Sequence, residues 1–186
     1  KFIISGSSSQ VAGTSQTVTI RATTKNGTIV TDYTGNKQLQ FSGTNSSSAL
    51  TYKSQVNGVN FGQVTPVHFV NGIAQVDLVI YKSGLDSISA QDVYIQTLGL
   101  DRLGVDVSAK SFQKLAVQLQ SPQVNQTPFY GFNKLLVEDE YDNPVSSFNA
   151  TLNPITITTS QGALISGLSG GNRLVSSSDF QQGMAN

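Results

Sequence analysis

Hydrophobic and polar positions alternate in short runs along this chain, and turns containing Gly break the runs. From Gln16 to Thr24, Val18, Ile20 and Ala22 fall on one face and Thr17, Thr19, Arg21 and Thr23 on the other. A period of two predicts a strand with one side in a core. Lys25-Asn26-Gly27 follows as a turn, because Asn-Gly accepts positive φ. Leu39 and Phe41 then alternate with Gln38, Gln40 and Ser42. Val67–Val70 and Ile73–Val76 flank Asn71-Gly72, the pattern of a tight two-residue hairpin. The inward face continues through Leu78 and Ile80 until Lys82-Ser83-Gly84 breaks it. Phe2–Ser5, Ser87–Ala90 and Val93–Thr97 read as further strands, with Val105–Val107 as one more candidate. Residues 43–62 form a long polar insertion for which no regular structure is expected.

This pattern occurs twice. Val18–Phe41 corresponds to Leu135–Ile157, with Ile20, Ala22, Val30 and Tyr33 opposite Leu135, Val137, Val145 and Phe148 at one offset. Those shared positions are expected to be core or corner residues. Leu115, Val117 and Leu119 alternate as the counterpart of Phe2–Ile4, which sets a repeat of about 113 residues. Leu135–Glu138, Pro144–Phe148 and Ile155–Thr159 read as the strands of the second copy. Asp179–Asn186 matches His68–Gln75 position for position, with Phe, Gly and Ala identical. The expected fold class is therefore all-β, with one module at 1–111 and a second at 112–186. About seven strands in the first is the count of an immunoglobulin-like sandwich. The second has no counterparts of Val76–Ser111, so it is expected to be truncated before its last strands. A boundary falling inside a domain, disordered residues, or strands donated by another chain would each account for that.

Composition narrows the class. Charged residues are 12% of the 186 and balance to a net charge of zero, so no nucleic-acid or membrane-surface patch is expected. Polarity comes from Ser, Thr, Asn and Gln, with 17 Gly and 5 Pro, which suits strands and turns rather than helices. Without Cys, the modules must be held by core and ladders or by another cross-link. No apolar run approaches the ~18 residues that span a bilayer, and membrane insertion is not expected within this segment. Lys1-Phe2-Ile3-Ile4 before Ser and Gly is not expected to be a signal peptide, and the chain is expected to open inside a strand, as a piece of a longer protein would.

Certain residues carry a family likeness. Thr17–Ala22 before its Gly turn, Asp32-Tyr33-Thr34-Gly35 and Leu39-Gln40-Phe41-Ser42-Gly43 resemble repeats of bacterial surface proteins. Val137, Asp139, Asn143, Pro144 and Val145 fit V-x-D-x-x-x-N-P-V, which is similar to the signature of invasin/intimin-type bacterial immunoglobulin-like domains. Filamin repeats share a similar pattern. The first module departs from it: Thr24 stands in place of Asp139, and Thr28-Ile29 in place of Asn143-Pro144. The resemblance implies a fold and a setting in a surface array, and no catalytic residue.

Candidate chemistry is sparse. Glu138, Asp139, Glu140 and Asp142 place four carboxylates within five residues, and calcium takes six to eight oxygens, so this turn is the candidate calcium site. Asp101 and Asp106 are further candidates, although a strand would turn Glu138 and Glu140 away from Asp139. Gly167-Leu168-Ser169-Gly170-Gly171 fits G-x-S-x-G, yet no His follows it, and the single His68 lies upstream beside a turn. A Gly/Ser loop is the expectation there. Lys37, Lys53, Lys82 and Lys134 are the possible donors of a Lys–Asn cross-link, with no pattern that selects a triad. Tyr52, Tyr130 and Tyr141 are expected in loops and available to a ligand.

The expected function is structural: a spacer, stalk or lattice segment of a bacterial surface or secreted protein, extracellular, without enzymatic activity. Its partners would be neighbouring repeats of the same chain. The alternatives are an adhesin module that binds a host protein or glycan through loops 43–62 and 138–143, or a self-associating subunit completed by a neighbour's strand.

Overall fold

The computed structural model describes residues 1–44 and 52–185. It separates into two compact units, Lys1–Lys110 and Ser111–Asn186. Among the described residues both are built from strands and turns, and the single helical piece is a 3-10 turn at Gly99–Asp101.

Unit 1 contains, in chain order, β1 (Phe2–Ser5), β2 (Ser9–Val11), β3 (Ser15–Ala22), β4 (Gly35–Ser42), β5 (Gln55–Val56), β6 (Val59–Asn60), β7 (Val64–Phe69), β8 (Ile73–Val79), β9 (Gly84–Gln91) and β10 (Leu103–Ser108). They form two sheets, β1-β3-β8-β5-β6 and β2-β10-β9-β4-β7. Alternation decides which side of each strand is buried. Phe2, Ile4, Val18, Ile20, Ala22, Ala74, Val76 and Leu78 point inward from the first sheet. Leu39, Phe41, Val67, Phe69, Ile88, Val105 and Val107 do so from the second. The sheets meet face to face, with the Phe2 and Phe69 rings stacked at 6.0 Å. Each large inward side chain contributes about 1.5–3 kcal/mol by leaving water.

Several expectations needed tertiary correction. Asn71-Gly72 has the positive φ of 48° and 80° that a two-residue turn requires. It does not close a hairpin within one sheet, because β7 pairs with β4 and β8 with β3. Only Val70 and Ile73 bridge across the turn, after which the strands part into opposite walls of the sandwich. Both strands bury alternate residues, and facing sheets satisfy both. Pro66 is tolerated in β7 because that strand is at a sheet edge. Val93–Thr97 is not a strand: Asp92 Oδ1 accepts the Tyr94 and Ile95 amides, each at 2.7 Å, and folds the segment into a bend. Within 43–62, residues 45–51 lie outside the described residues. Beyond them β5 and β6 flank an Asn57-Gly58 turn and bury Val56. Val30, expected in the core, is exposed.

Unit 2 contains β11 (Lys114–Gln118), β12 (Lys134–Glu138), β13 (Ile155–Thr156), β14 (Arg173–Leu174) and β15 (Met184–Ala185). Among the described residues these make one sheet β11-β12-β15 and one pair β13-β14. Pro144–Phe148 runs as turns rather than as the expected strand. Its three-stranded sheet has the pairing of β1-β3-β8. Ile20 lies opposite Ala74 in unit 1, and Leu135 opposite Ala185 in unit 2. Phe2 lies opposite Ala22, and Leu115 opposite Val137.

The backbone ties agree as closely. Ala22 N–H donates to Gly72 O at 2.8 Å, and Val137 N–H to Gly183 O at 2.8 Å. Val30 N–H donates to Ala22 O, and Val145 N–H to Val137 O, both at 2.9 Å. A Cβ on Gly72 would sit 2.5 Å from the Val30 carbonyl oxygen, and one on Gly183 2.9 Å from the Val145 nitrogen. Gly27 also has positive φ, but nothing lies within 4 Å of its missing Cβ. Gly72→Ala should therefore cost unit 1 about 3 kcal/mol from strain plus clash, against about 1 kcal/mol for Gly27→Ala. Urea midpoints of the two variants check this; equal losses would contradict it.

Candidate functional site

The acidic turn after β12 is the strongest chemical feature of the sequence, and its geometry is that of a lock. Asp139 is fully buried. Its Oδ1 accepts the Tyr141 amide at 2.8 Å and the Asn143 amide at 2.9 Å, while Oδ2 accepts the Asn143 side-chain amide at 2.9 Å. The Asp139 amide in turn donates to Asn143 O at 3.0 Å. Asp142 takes φ of 63°, a conformation that Asp tolerates, and pairs with Lys114. Pro144 bridges back to Glu138. Unit 1 holds the same turn more weakly: the Thr24 hydroxyl accepts the Thr28 amide at 3.3 Å, and Gly27 occupies the positive-φ position.

That geometry bears on the calcium expectation. Glu138, Asp139, Glu140 and Asp142 do not converge, and among the described residues no group of three or more His, Cys, Asp or Glu is placed to hold a metal. Both Asp139 oxygens already accept N–H donors, and a cation would have to displace them. Asp101 pairs with Lys1 at 2.8 Å, and Asp106 is a ladder residue of β10 opposite Ser9. Tyr141, expected to be available in a loop, is buried.

Ser169 sits in a turn closed by a Leu168–Gly171 bridge. Its hydroxyl donates to Asp179 Oδ2 at 2.6 Å and accepts the Val175 amide at 3.0 Å. The Ser169 hydrogen bond holds the Asp179 carboxyl below its usual range. No helix follows the turn, so the nucleophile pattern is a loop staple, as expected for a Gly/Ser loop. His68 is exposed on β7, with Nδ1 2.9 Å from Asn36 Oδ1. None of Lys37, Lys53, Lys82 and Lys134 is fully buried as a covalent cross-link would require.

One cluster was not legible in the sequence. Tyr33 donates its hydroxyl to Asp92 Oδ2 at 2.5 Å, across 59 residues, and Lys37 Nζ lies 4.7 Å above the Tyr33 ring. Tyr33 also meets Phe69 edge-on at 4.8 Å, as Phe148 meets Phe180 at 5.0 Å in unit 2. Burial, the bond to Asp92 and that residue's charge push the Tyr33 hydroxyl well up. Burial also acts to raise Asp92, but bonds from Tyr33 and from the Ile95 and Tyr94 amides, with the Lys37 charge, hold it below its ordinary 3.8. The only cue in the sequence was the shared Tyr33/Phe148 position.

No family model and no curated protein matches the chain. Among solved structures it is similar to the S-layer protein SbsC. Domains 1–6 are 13% identical at a TM-score of 0.37, covering 86% of this chain and 20% of that one. Domains 5–6 are 14% identical at 0.36, covering 86% and 71%. A crystal structure of rSbsC(31-844) is 12% identical at 0.37, covering 93% and 20%. This chain thus spans about a fifth of the length of two of these structures. At such TM-scores the likeness carries no argument about this chain.

Asp139→Ala removes the acceptor of three buried donors and should destabilise unit 2 by roughly 3 kcal/mol, whereas Asp142→Ala should cost under about 1 kcal/mol. Thermal melting separates the two, and millimolar calcium should leave the wild-type melting temperature unchanged. A calcium-dependent rise would restore the metal reading. In unit 1, Asp92 has a depressed folded pKa, so its contribution is present above 3.8 and is lost as the pH falls through the lower folded value. Tyr33→Phe should cost about 1 kcal/mol at neutral pH, a difference that shrinks below about pH 4. A penalty independent of pH in urea titrations would contradict the assignment.

Proposed function

We propose that this chain is a non-catalytic structural segment of a bacterial cell-surface or secreted protein, with tandem immunoglobulin-like modules acting as an extracellular spacer or lattice element. The observation that carries the reading is the parallel pairing of the first and last strands of the second sheet in unit 1. β2 runs parallel to β10, with Ser9 opposite Asp106 and Val11 opposite Ser108. Tension on the two ends of the unit pulls β2 backward and β10 forward, so the strands must slide lengthwise past each other. The bonds from Asp106 N–H to Ser8 O and from Ala12 N–H to Ser108 O, both 2.8 Å, bracket that ladder. In this geometry they bear the force together, whereas a ladder pulled open from one end breaks bond by bond.

Two further facts support the reading. The same backbone frame holds both units, and the residues of the V-x-D-x-x-x-N-P-V pattern serve to hold a turn. Neighbouring modules of the same chain would be the partners along the array.

Force spectroscopy on the chain tethered at both ends tests the proposal. Unit 1 should give a single rupture followed by a length gain on the order of 350 Å, the extended contour of its chain. Ala12→Pro, which deletes one bracketing N–H, should lower the rupture force. Gradual extension without a rupture would overturn the spacer reading.

A further inference from the structure

Three Asn-Gly pairs occur in the chain, Asn26-Gly27, Asn57-Gly58 and Asn71-Gly72, and all three lie in turns of unit 1. Such a pair is chemically self-reactive. The Gly nitrogen can attack the side-chain carbonyl carbon of the Asn before it, because Gly has no Cβ to obstruct the approach. Closure of that five-membered ring depends on what holds the two groups, and the three turns hold them differently.

Asn71-Gly72 is held by tertiary contacts. Gly72 is buried, and its N–H donates to Tyr33 O at 3.0 Å while its carbonyl accepts the Ala22 amide at 2.8 Å. Swinging the Gly72 nitrogen towards Asn71 breaks the first of these and disturbs the second. Asn57 is clamped to β8: its N–H donates to Asp77 O, and its Oδ1 accepts the Asp77 amide, both at 2.9 Å. Turning its side chain towards Gly58 forfeits the second bond.

Asn26-Gly27 is held by its own turn alone. Both residues are exposed, and the Gly27 N–H donates only three residues back, to Thr24 O at 3.1 Å. Among the described residues no hydrogen bond holds the Asn26 side chain. Nothing lies within 4 Å of a Cβ placed on Gly27, so its peptide has room to rotate. The turn is closed by Thr24 N–H to Thr28 O at 2.9 Å and by the Thr23–Ile29 bridge. Opening it leaves the bonds from Ala22 to Gly72 and from Val30 to Ala22 in place. The copy of this turn in unit 2 lacks the chemistry. Tyr141-Asp142 stands in place of Asn26-Gly27, and Asn143 precedes Pro144, which has no N–H to attack with.

We propose that Asn26 is a self-modification site, where the chain converts an amide to a carboxylate while Asn57 and Asn71 stay intact. The Gly27 nitrogen forms a bond to Asn26 Cγ and gives up its proton. The Cγ–Nδ2 bond breaks, and ammonia leaves with that proton. Water then opens the cyclic imide at either carbonyl, giving Asp or isoaspartate, with nothing oxidised or reduced. One neutral amide becomes one carboxylate, so the net charge goes from zero to minus one, in a turn beside Lys25. This inference does not rest on the spacer reading, since neither force nor location enters it.

The test incubates the 186-residue protein at mildly alkaline pH, folded and in urea, with isoelectric focusing and peptide mapping that detects isoaspartate. In the folded chain an acidic species should appear, its new carboxylate formed at 26 about tenfold or more faster than at 57 or 71. In urea the three sites should react at similar rates, and Gly27→Ala should suppress the acidic species of the folded chain. Equal rates at the three sites in the folded chain, or faster conversion at 57 or 71, would overturn the proposal. So would no conversion at all, or an acidic species that forms in Gly27→Ala at the wild-type rate. The same order of rates in urea would place the cause in local sequence rather than in the fold, against the inference.

Discussion

One constraint recurs at the centre of both units: a Gly carbonyl in a tight turn accepts an amide of the central strand, whose own carbonyl holds the next loop. Ala22 stands between Gly72 and Val30 in this way, and Val137 between Gly183 and Val145. The turn must come close enough that a Cβ on either Gly would collide with the loop backbone. Once that contact is made, the loop after the central strand, the corner between the sheets and the third strand have fixed positions. Packing then needs only side chains of the right size, and the two units use different ones. Val30 is exposed where Val145 is buried, and Tyr33 bonds to Asp92 where Phe148 packs between Phe112 and Phe180.

Polar side chains work within this frame as substitutes for backbone partners. Asp139 gathers three N–H donors, Asp92 gathers two amides and a phenol, and Asp179 holds a hydroxyl and an amide. A carboxylate suits this work because it accepts several bonds at once and has no donor to leave unsatisfied. The same property makes carboxylate clusters look like metal sites in a sequence. What separates the two cases is where the neighbouring amides point, and that depends on φ and ψ rather than on composition. Asp142 at positive φ closes the turn and directs the Asn143 amide at Asp139.

The two units also differ in what the frame supports. In unit 1 the second sheet is complete from β2 to β7, and its parallel terminal ladder joins the two ends of the unit. In unit 2 the same three-stranded sheet carries a smaller second layer, and apolar side chains that unit 1 buries reach solvent. The two units therefore differ in how much of a sandwich covers a common sheet.

By itself, the sequence determined the all-β class, the inward faces of β3, β4 and β8, the Asn-Gly turn and the equivalence of the two stretches. These rest on period-two alternation and on the φ preferences of a few residues, both of which are local. Tertiary structure alone decided that the Asn71-Gly72 turn is a corner between sheets, that Tyr33 finds Asp92, and that Asp139 accepts the amides of its own turn. It also decided that Leu115 and Val117, with the alternation of buried residues, remain in solvent. Alternation reports which side of a strand is apolar, while burial requires a second surface to cover it, and that surface is set by strands distant in the chain.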